Sequence, residues 1–122
     1  MGRFQDLEVW CLAKDLAKLV YKVSTPEKFQ NDFGLMDQFR RACISISSNI
    51  AEGEEAGTLK SGLNYLKIAK ASNAELRSQS IIAHDIGYIN EEEKNEILEL
   101  SNLISKKLFF LIKYRKSLLN KK

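Results

Sequence analysis

Gln38-Phe39-Arg40-Arg41-Ala42-Cys43-Ile44-Ser45-Ile46-Ser47-Ser48-Asn49-Ile50-Ala51-Glu52-Gly53 is the stretch whose reading decides the fold. Phe39, Cys43, Ile46 and Ile50 recur at the spacings of one α-helical face. Gln38, Arg41, Ser45, Ser48 and Glu52 form a second stripe beside it, polar throughout. A helix face turned to water is usually rich in long charged side chains. Serines, an asparagine and isolated charges predict instead that part of this stripe lies against another helix.

The same periodicity extends in both directions. A first helix is expected over about 6–23, capped by Asp6, with Val9, Leu12, Leu16, Leu19 and Val23 inward and Trp10, Ala13, Ala17 and Val20 widening the apolar arc. Ser24-Thr25-Pro26-Glu27 stops it and starts a short turn through Phe29, with Thr25 as its cap, and Phe29 and Phe33 are expected to tuck onto the end of the fold. The second long helix spans about 35–55. The third spans about 58–85, capped by Thr58, ended by Gly87, and inward along Leu59, Leu63, Leu66, Ala69, Asn73, Leu76, Ser80 and Ala83. Gly62 and its small neighbours allow close approach of a partner backbone. Asn90-Glu91-Glu92-Glu93 is a capping-box signal opening a fourth helix, about 91–118, with Ile97, Leu100, Ile104, Leu108 and Leu111 inward and Leu103, Phe110 and Tyr114 on a second apolar stripe. Short loops between long helices predict an all-α, antiparallel up-down-up-down four-helix bundle, one domain over residues 1–122.

The composition agrees. In 122 residues, 44% hydrophobic, one proline and six glycines leave little punctuation for strands. The net charge of +3 is mildly basic, below the strong excess of a dedicated nucleic-acid-binding domain. Its distribution is polarised: no acid follows Glu99, whereas Lys106, Lys107, Lys113, Arg115 and Lys116 do. Cys11 and Cys43 sit in apolar helical patterns and read as reduced core thiols, which fits a cytoplasmic protein. No signal-peptide pattern is expected at the N-terminus, and no run approaches the roughly 18 apolar residues of a membrane span.

Catalytic chemistry finds no carrier. A di-iron carboxylate bundle needs Glu-x-x-His on two helices, and the single histidine, His84, has Ile81 at the required offset. A Mg²⁺-dependent nucleotide pyrophosphohydrolase needs paired acidic motifs on adjacent helices. Glu52 and Glu55 supply one pair, but Glu75 is followed by Ser78. No metal, cofactor or enzymatic activity is therefore expected. The polar residues Gln38, Arg41, Ser45, Asn49, Glu52, Ser72 and Glu75 are read as a structural network fixing helix register, with Arg41 and Glu75 as a buried pair.

Phe4…Leu7-Glu8-Val9-Trp10…Ala13, Gly34-Leu35…Gln38…Arg40-Arg41-Ala42…Ser45-Ile46…Asn49-Ile50-Ala51-Glu52-Gly53, Ala69…Ser72…Glu75-Leu76 and Ile86-Gly87-Tyr88-Ile89 together resemble the four-helix-bundle proteins encoded in 23S rRNA intervening sequences, also called ribosomal protein S23-like. The loop before Gly34 departs from that pattern, lacking the Phe-Pro and Glu common there. The resemblance implies a small bacterial cytosolic protein that assembles as a homopentamer, associated with rRNA chiefly through where its genes lie. The expected function is a non-enzymatic oligomer binding RNA or another nucleic acid by phosphate contacts from Lys106, Lys107, Lys113, Arg115, Lys116 and Arg40, with no aromatic-interleaved basic stripe expected for base stacking. A protein–protein scaffold or accessory subunit with no nucleic-acid role is the rival reading, and a Mg²⁺-dependent nucleotide pyrophosphohydrolase using Glu52 and Glu75 is the less favoured third.

Overall fold

A computed structural model describes residues 2–121; Met1 and Lys122, the ends of the expected domain, lie outside the described residues. Among these residues the protein is all-α, with five α-helices and no strand. A 3₁₀ turn, Phe4–Asp6, precedes α1 (Glu8–Val23). Then follow α2 (Glu27–Gln30), α3 (Phe33–Glu55), α4 (Leu59–Asp85) and α5 (Glu91–Asn120). The four long helices contribute to one hydrophobic core.

Local signals set most of the boundaries. Thr58 Oγ1 accepts from the Ser61 amide at 3.1 Å. Asn90 and Glu93 exchange side-chain-to-backbone bonds at 2.8 and 2.9 Å, a complete capping box. Gly87 terminates α4 at φ +84°, a conformation strained for any residue with a Cβ. Asp6 does not cap α1; it lies within the 3₁₀ turn, and Leu7 precedes the helix with no side-chain cap. Nor does Thr25 cap α2, because its hydroxyl donates back to the Tyr21 carbonyl at 2.9 Å. α3 begins two residues earlier than expected, since Asp32 Oδ1 accepts from the Leu35 amide at 3.2 Å. That start leaves Phe33 on the first turn, 68% exposed, rather than tucked in. Phe29 is fully buried, stacked on Phe39 at 5.5 Å and tilted against Tyr88 at 5.3 Å.

Packing follows the stripes with two adjustments. The inward line of α4 is as expected from Leu63 to Ala83. In α1 the buried residues are Val9, Ala13, Leu16, Val20 and Val23, so Leu12 and Leu19 flank the seam instead of centring it. In α5 the buried line runs Ile97, Ser101, Ile104, Leu108, Ile112 and Arg115. It advances by about 3.6 residues per step, the repeat of a straight helix. The expected line through Leu100 and Leu111 advances by about 3.5, the repeat of a supercoiled one, and those leucines are only partly buried.

Two polar pairs interrupt this apolar core. Asn73 and Ser101 are buried; Asn73 Nδ2 donates to the Ser101 carbonyl at 2.9 Å and Ser101 Oγ donates to Asn73 Oδ1 at 2.7 Å. Arg115 donates from Nη2 to Glu54 Oε2, joining α5 to the last turn of α3. Beside Glu54, Gly53 faces Gly62: a Cβ on Gly62 would lie 2.8 Å from the Gly53 carbonyl oxygen. Only glycine allows α3 and α4 to meet that closely.

Candidate functional site: the basic and aromatic seam between α4 and α5

The opening polar stripe resolves into a small hydroxyl cluster. Ser45 and Ser72 share a 2.8 Å hydrogen bond across α3 and α4, and Asn49 Nδ2 donates to the Ser45 carbonyl at 2.9 Å and to its hydroxyl at 3.1 Å. These three residues come together because serine side chains are short enough for the helices to approach. The rest of the set does not join them. Arg41 pairs with Asp37 one turn away at 3.1 Å, with its side chain 79% exposed, and Gln38, Glu52 and Glu75 are exposed. The buried arginine–glutamate pair is Arg115–Glu54, not Arg41–Glu75. An open groove of about 840 Å³ crosses this region, bordered by Tyr21, Arg40, Arg41, Ser72 and Glu75 among others. Its opposed charges match no single-signed ligand.

The six candidate phosphate-binding residues also divide. Arg115 is 7% exposed and committed to Glu54, so it is withdrawn from any surface. Arg40 donates from Nε to Ser24 Oγ at 2.9 Å and lies 4.5 Å from the Tyr21 ring centroid. It fastens the end of α1 to α3. Lys107 is paired with Glu8 of α1, 2.9 Å away. Lys106, Lys113 and Lys116 remain exposed on α5. They share that surface with three aromatic side chains, Phe109, Phe110 and Tyr114, which are 51%, 55% and 61% exposed.

α4 adds to the same surface. Lys70 Nζ lies 5.9 Å from the Phe109 ring centroid, and Arg77, one heptad on, donates from Nη1 to Asn102 Oδ1 of α5 at 2.9 Å. Lys70, Phe109, Ile112, Lys113 and Lys116 border a shallow depression of about 210 Å³. The seam thus carries Lys70, Arg77, Lys106, Lys113 and Lys116 around the aromatic rings. Lys70 and Arg77 are additions to the expected set. Their seven-residue spacing is visible in the sequence, but which helix face they share with α5 depends on packing. The aromatic interleaving corrects the expectation of no such stripe: Phe110 and Tyr114 read in the sequence as an apolar line, although Lys106, Phe110, Lys113 and Tyr114 recur at helical spacing.

Elsewhere the ionisable groups have structural surroundings. Burial pushes the Cys43 thiol up to about 12, so it is inert, and Cys11 is part-exposed and unpaired with it. His84 Nε2 lies 3.0 Å from Glu91 Oε2 at the junction of α4 and α5. Lys94, and after it His84, hold the Glu91 carboxyl below its ordinary range. Among the described residues no group of three or more His, Cys, Asp or Glu side chains is arranged to hold a metal ion. Among the described residues no helix is long and apolar enough to cross a membrane.

Comparison with known proteins gives a consistent picture. The family described as 23S rRNA-intervening sequence protein matches residues 5–109. A solved structure from Bacteroides thetaiotaomicron VPI-5482, described as a protein of unknown function from the S23 ribosomal protein family, superposes with a TM-score of 0.79 at 29% identity. That match covers 86% of this chain and 98% of the other. No curated protein matches.

Proposed function

This chain belongs to the 23S rRNA-intervening sequence protein family, and from that premise we propose that it is a non-enzymatic, cytoplasmic, oligomeric helical bundle that binds RNA or another nucleic acid through the α4–α5 seam. One observation carries the reading: Lys70, Arg77, Lys106, Lys113 and Lys116 converge on one surface, and α5 has no carboxylate after Glu99 to offset them. Cations so placed attract phosphates and release their condensed counterions, a driving force that needs no base contacts. The chain is taken as a single up-down-up-down domain. Support comes from the Glu8–Lys107 pair near one end of α1 and the Asp32–Tyr88 bond of 3.0 Å beyond its other end.

Assembly would multiply the effect, since each copy in a ring repeats the basic seam and several modest fields add. A homopentamer, as the family resemblance implies, is the proposed state. Unpartnered apolar side chains on α3, on α4 and just after it, including Ile44, Ile68, Ile82 and Ile86 at 44–51% exposure, offer surface for subunit contacts. The same side chains favour the second reading, a protein–protein scaffold with no nucleic-acid role.

Ultraviolet crosslinking in the native cell, with sequencing of attached RNA and mapping of crosslinked peptides, separates the two. The proposal expects RNA joined to peptides within 102–117. A protein partner recovered unchanged after nuclease treatment, with no RNA attached, refutes it in favour of the scaffold.

A further inference from the structure

The lysines explain attraction to phosphate, but they do not explain why three aromatic side chains stand exposed among them. Leaving Phe109, Phe110 and Tyr114 more than half in water forgoes the stabilisation that burial of each large apolar side chain supplies. The core does not lack aromatic sites, since Phe29 and Phe39 are fully buried in it. We infer that the α4–α5 seam takes unpaired nucleotides in preference to duplex, with bases stacked on Phe109, Phe110 and Tyr114 and phosphates held by the surrounding lysines. The inference rests on the reading of this seam as a nucleic-acid surface and names the kind of strand it selects.

The ring geometry gives the preference. Phe109 and Phe110 meet edge to face, with centroids 5.3 Å apart and planes at 82°. A base stacked on each would lie nearly perpendicular to the other. Successive bases in a duplex are stacked and cannot satisfy both rings, whereas a splayed loop or single strand can. Phe110 and Tyr114 are one turn apart on α5 and therefore neighbours on its surface. The depression beside Phe109 is ringed by Lys70, Lys113 and Lys116, which puts cations next to a stacked base where its phosphate would lie. Stacking of this kind tolerates any base, since every base has a π-face.

Fluorescence anisotropy tests the inference, using a short unstructured RNA and the same strand annealed to its complement, with the full-length protein. The unpaired strand should bind more tightly. Phe110→Ala and Tyr114→Ala should each weaken that binding by on the order of ten-fold and weaken duplex binding much less, whereas Tyr114→Phe should bind the unpaired strand as wild type does. Lys106→Gln with Lys113→Gln should weaken both probes. Circular dichroism and light scattering confirm that each variant keeps its helicity and mass. Equal affinity for both probes, or aromatic variants that bind as wild type, overturns the preference for unpaired strands while the lysine effect upholds the surface. Failure of both probes at low salt overturns the two together. A loss of binding that tracks a fall in assembly mass also overturns the inference, since the rings would then be subunit contacts.

Discussion

Changing Glu54 to Gln removes one half of the most deeply buried charge pair. Glu54 and Arg115 are 4% and 7% exposed, and Arg115 Nη1 is buried without a partner, so the guanidinium depends on the bond from Nη2. Breaking a buried pair on one side typically costs about 3–5 kcal/mol, because the remaining charge has lost both water and its counterion. For a chain of this length each kcal/mol moves the melting midpoint by roughly 4 °C, so E54Q should melt roughly 12–20 °C lower. Arg115→Met should cost a comparable amount. It strands Glu54 in the last turn of α3, where the helix dipole disfavours negative charge. The double variant Glu54→Met/Arg115→Met removes both charges and should recover most of the loss, since apolar replacement of a buried pair is often neutral or better. Urea denaturation followed by circular dichroism measures all four proteins. A loss below about 1 kcal/mol in E54Q, or a double variant no more stable than the worse single one, refutes the argument that the pair is buried and mutually dependent.

Three further outcomes follow from local geometry. Gly62→Ala should destabilise, because a Cβ 2.8 Å from the Gly53 carbonyl forces α3 and α4 apart at about 1–3 kcal/mol, more than the roughly 1 kcal/mol that alanine gains in helix propensity; Gly57→Ala, with no atom within 4 Å, should be tolerated, and denaturant midpoints compare the two. In native protein a thiol reagent should label Cys11 well before Cys43, whose thiol is buried and held near 12, and equal labelling rates would contradict that burial. Tyr88 donates to Asp32, whose hydrogen bond and then burial raise the phenol above 10.0. Its stabilising contribution is therefore complete below the ordinary value and lost as pH rises through the raised one, so the advantage of wild type over Tyr88→Phe in denaturant midpoint should shrink above about pH 10.

What was legible in the sequence was what is decided locally or by period. The capping box at Asn90 and Glu93, the Thr58 cap and the Gly87 terminator each involve a few adjacent residues and were readable directly. So was the inward line of α4, and the prediction that serines on α3 meet a neighbouring helix, realised in Ser45–Ser72. The roles of like residues were not legible. Lys106, Lys113 and Arg115 belong to one basic run, yet two face water and one is buried against a glutamate far away in the chain. That assignment turns on the rotation of α5, where a 3.5-residue and a 3.6-residue reading differ by one position at Leu100 and Leu111. Polarity alone matches Arg41 with Glu75, but Asp37 lies one turn away and costs no desolvation to reach. Lys70 and Arg77 became part of the candidate site only when packing brought α4 beside α5.

Whether the α4–α5 lysines neutralise phosphates decides the proposed function most directly. Filter binding of a structured RNA with unpaired loops, from about 50 to 300 mM salt, measures this for wild type and for Lys70→Gln/Lys106→Gln/Lys113→Gln/Lys116→Gln. Wild-type affinity should fall steeply with salt, and the variant should bind weakly with a log–log slope smaller by about 3, as expected for four lost phosphate contacts. Absent or salt-independent binding by wild type, or an unchanged slope in the variant, contradicts it.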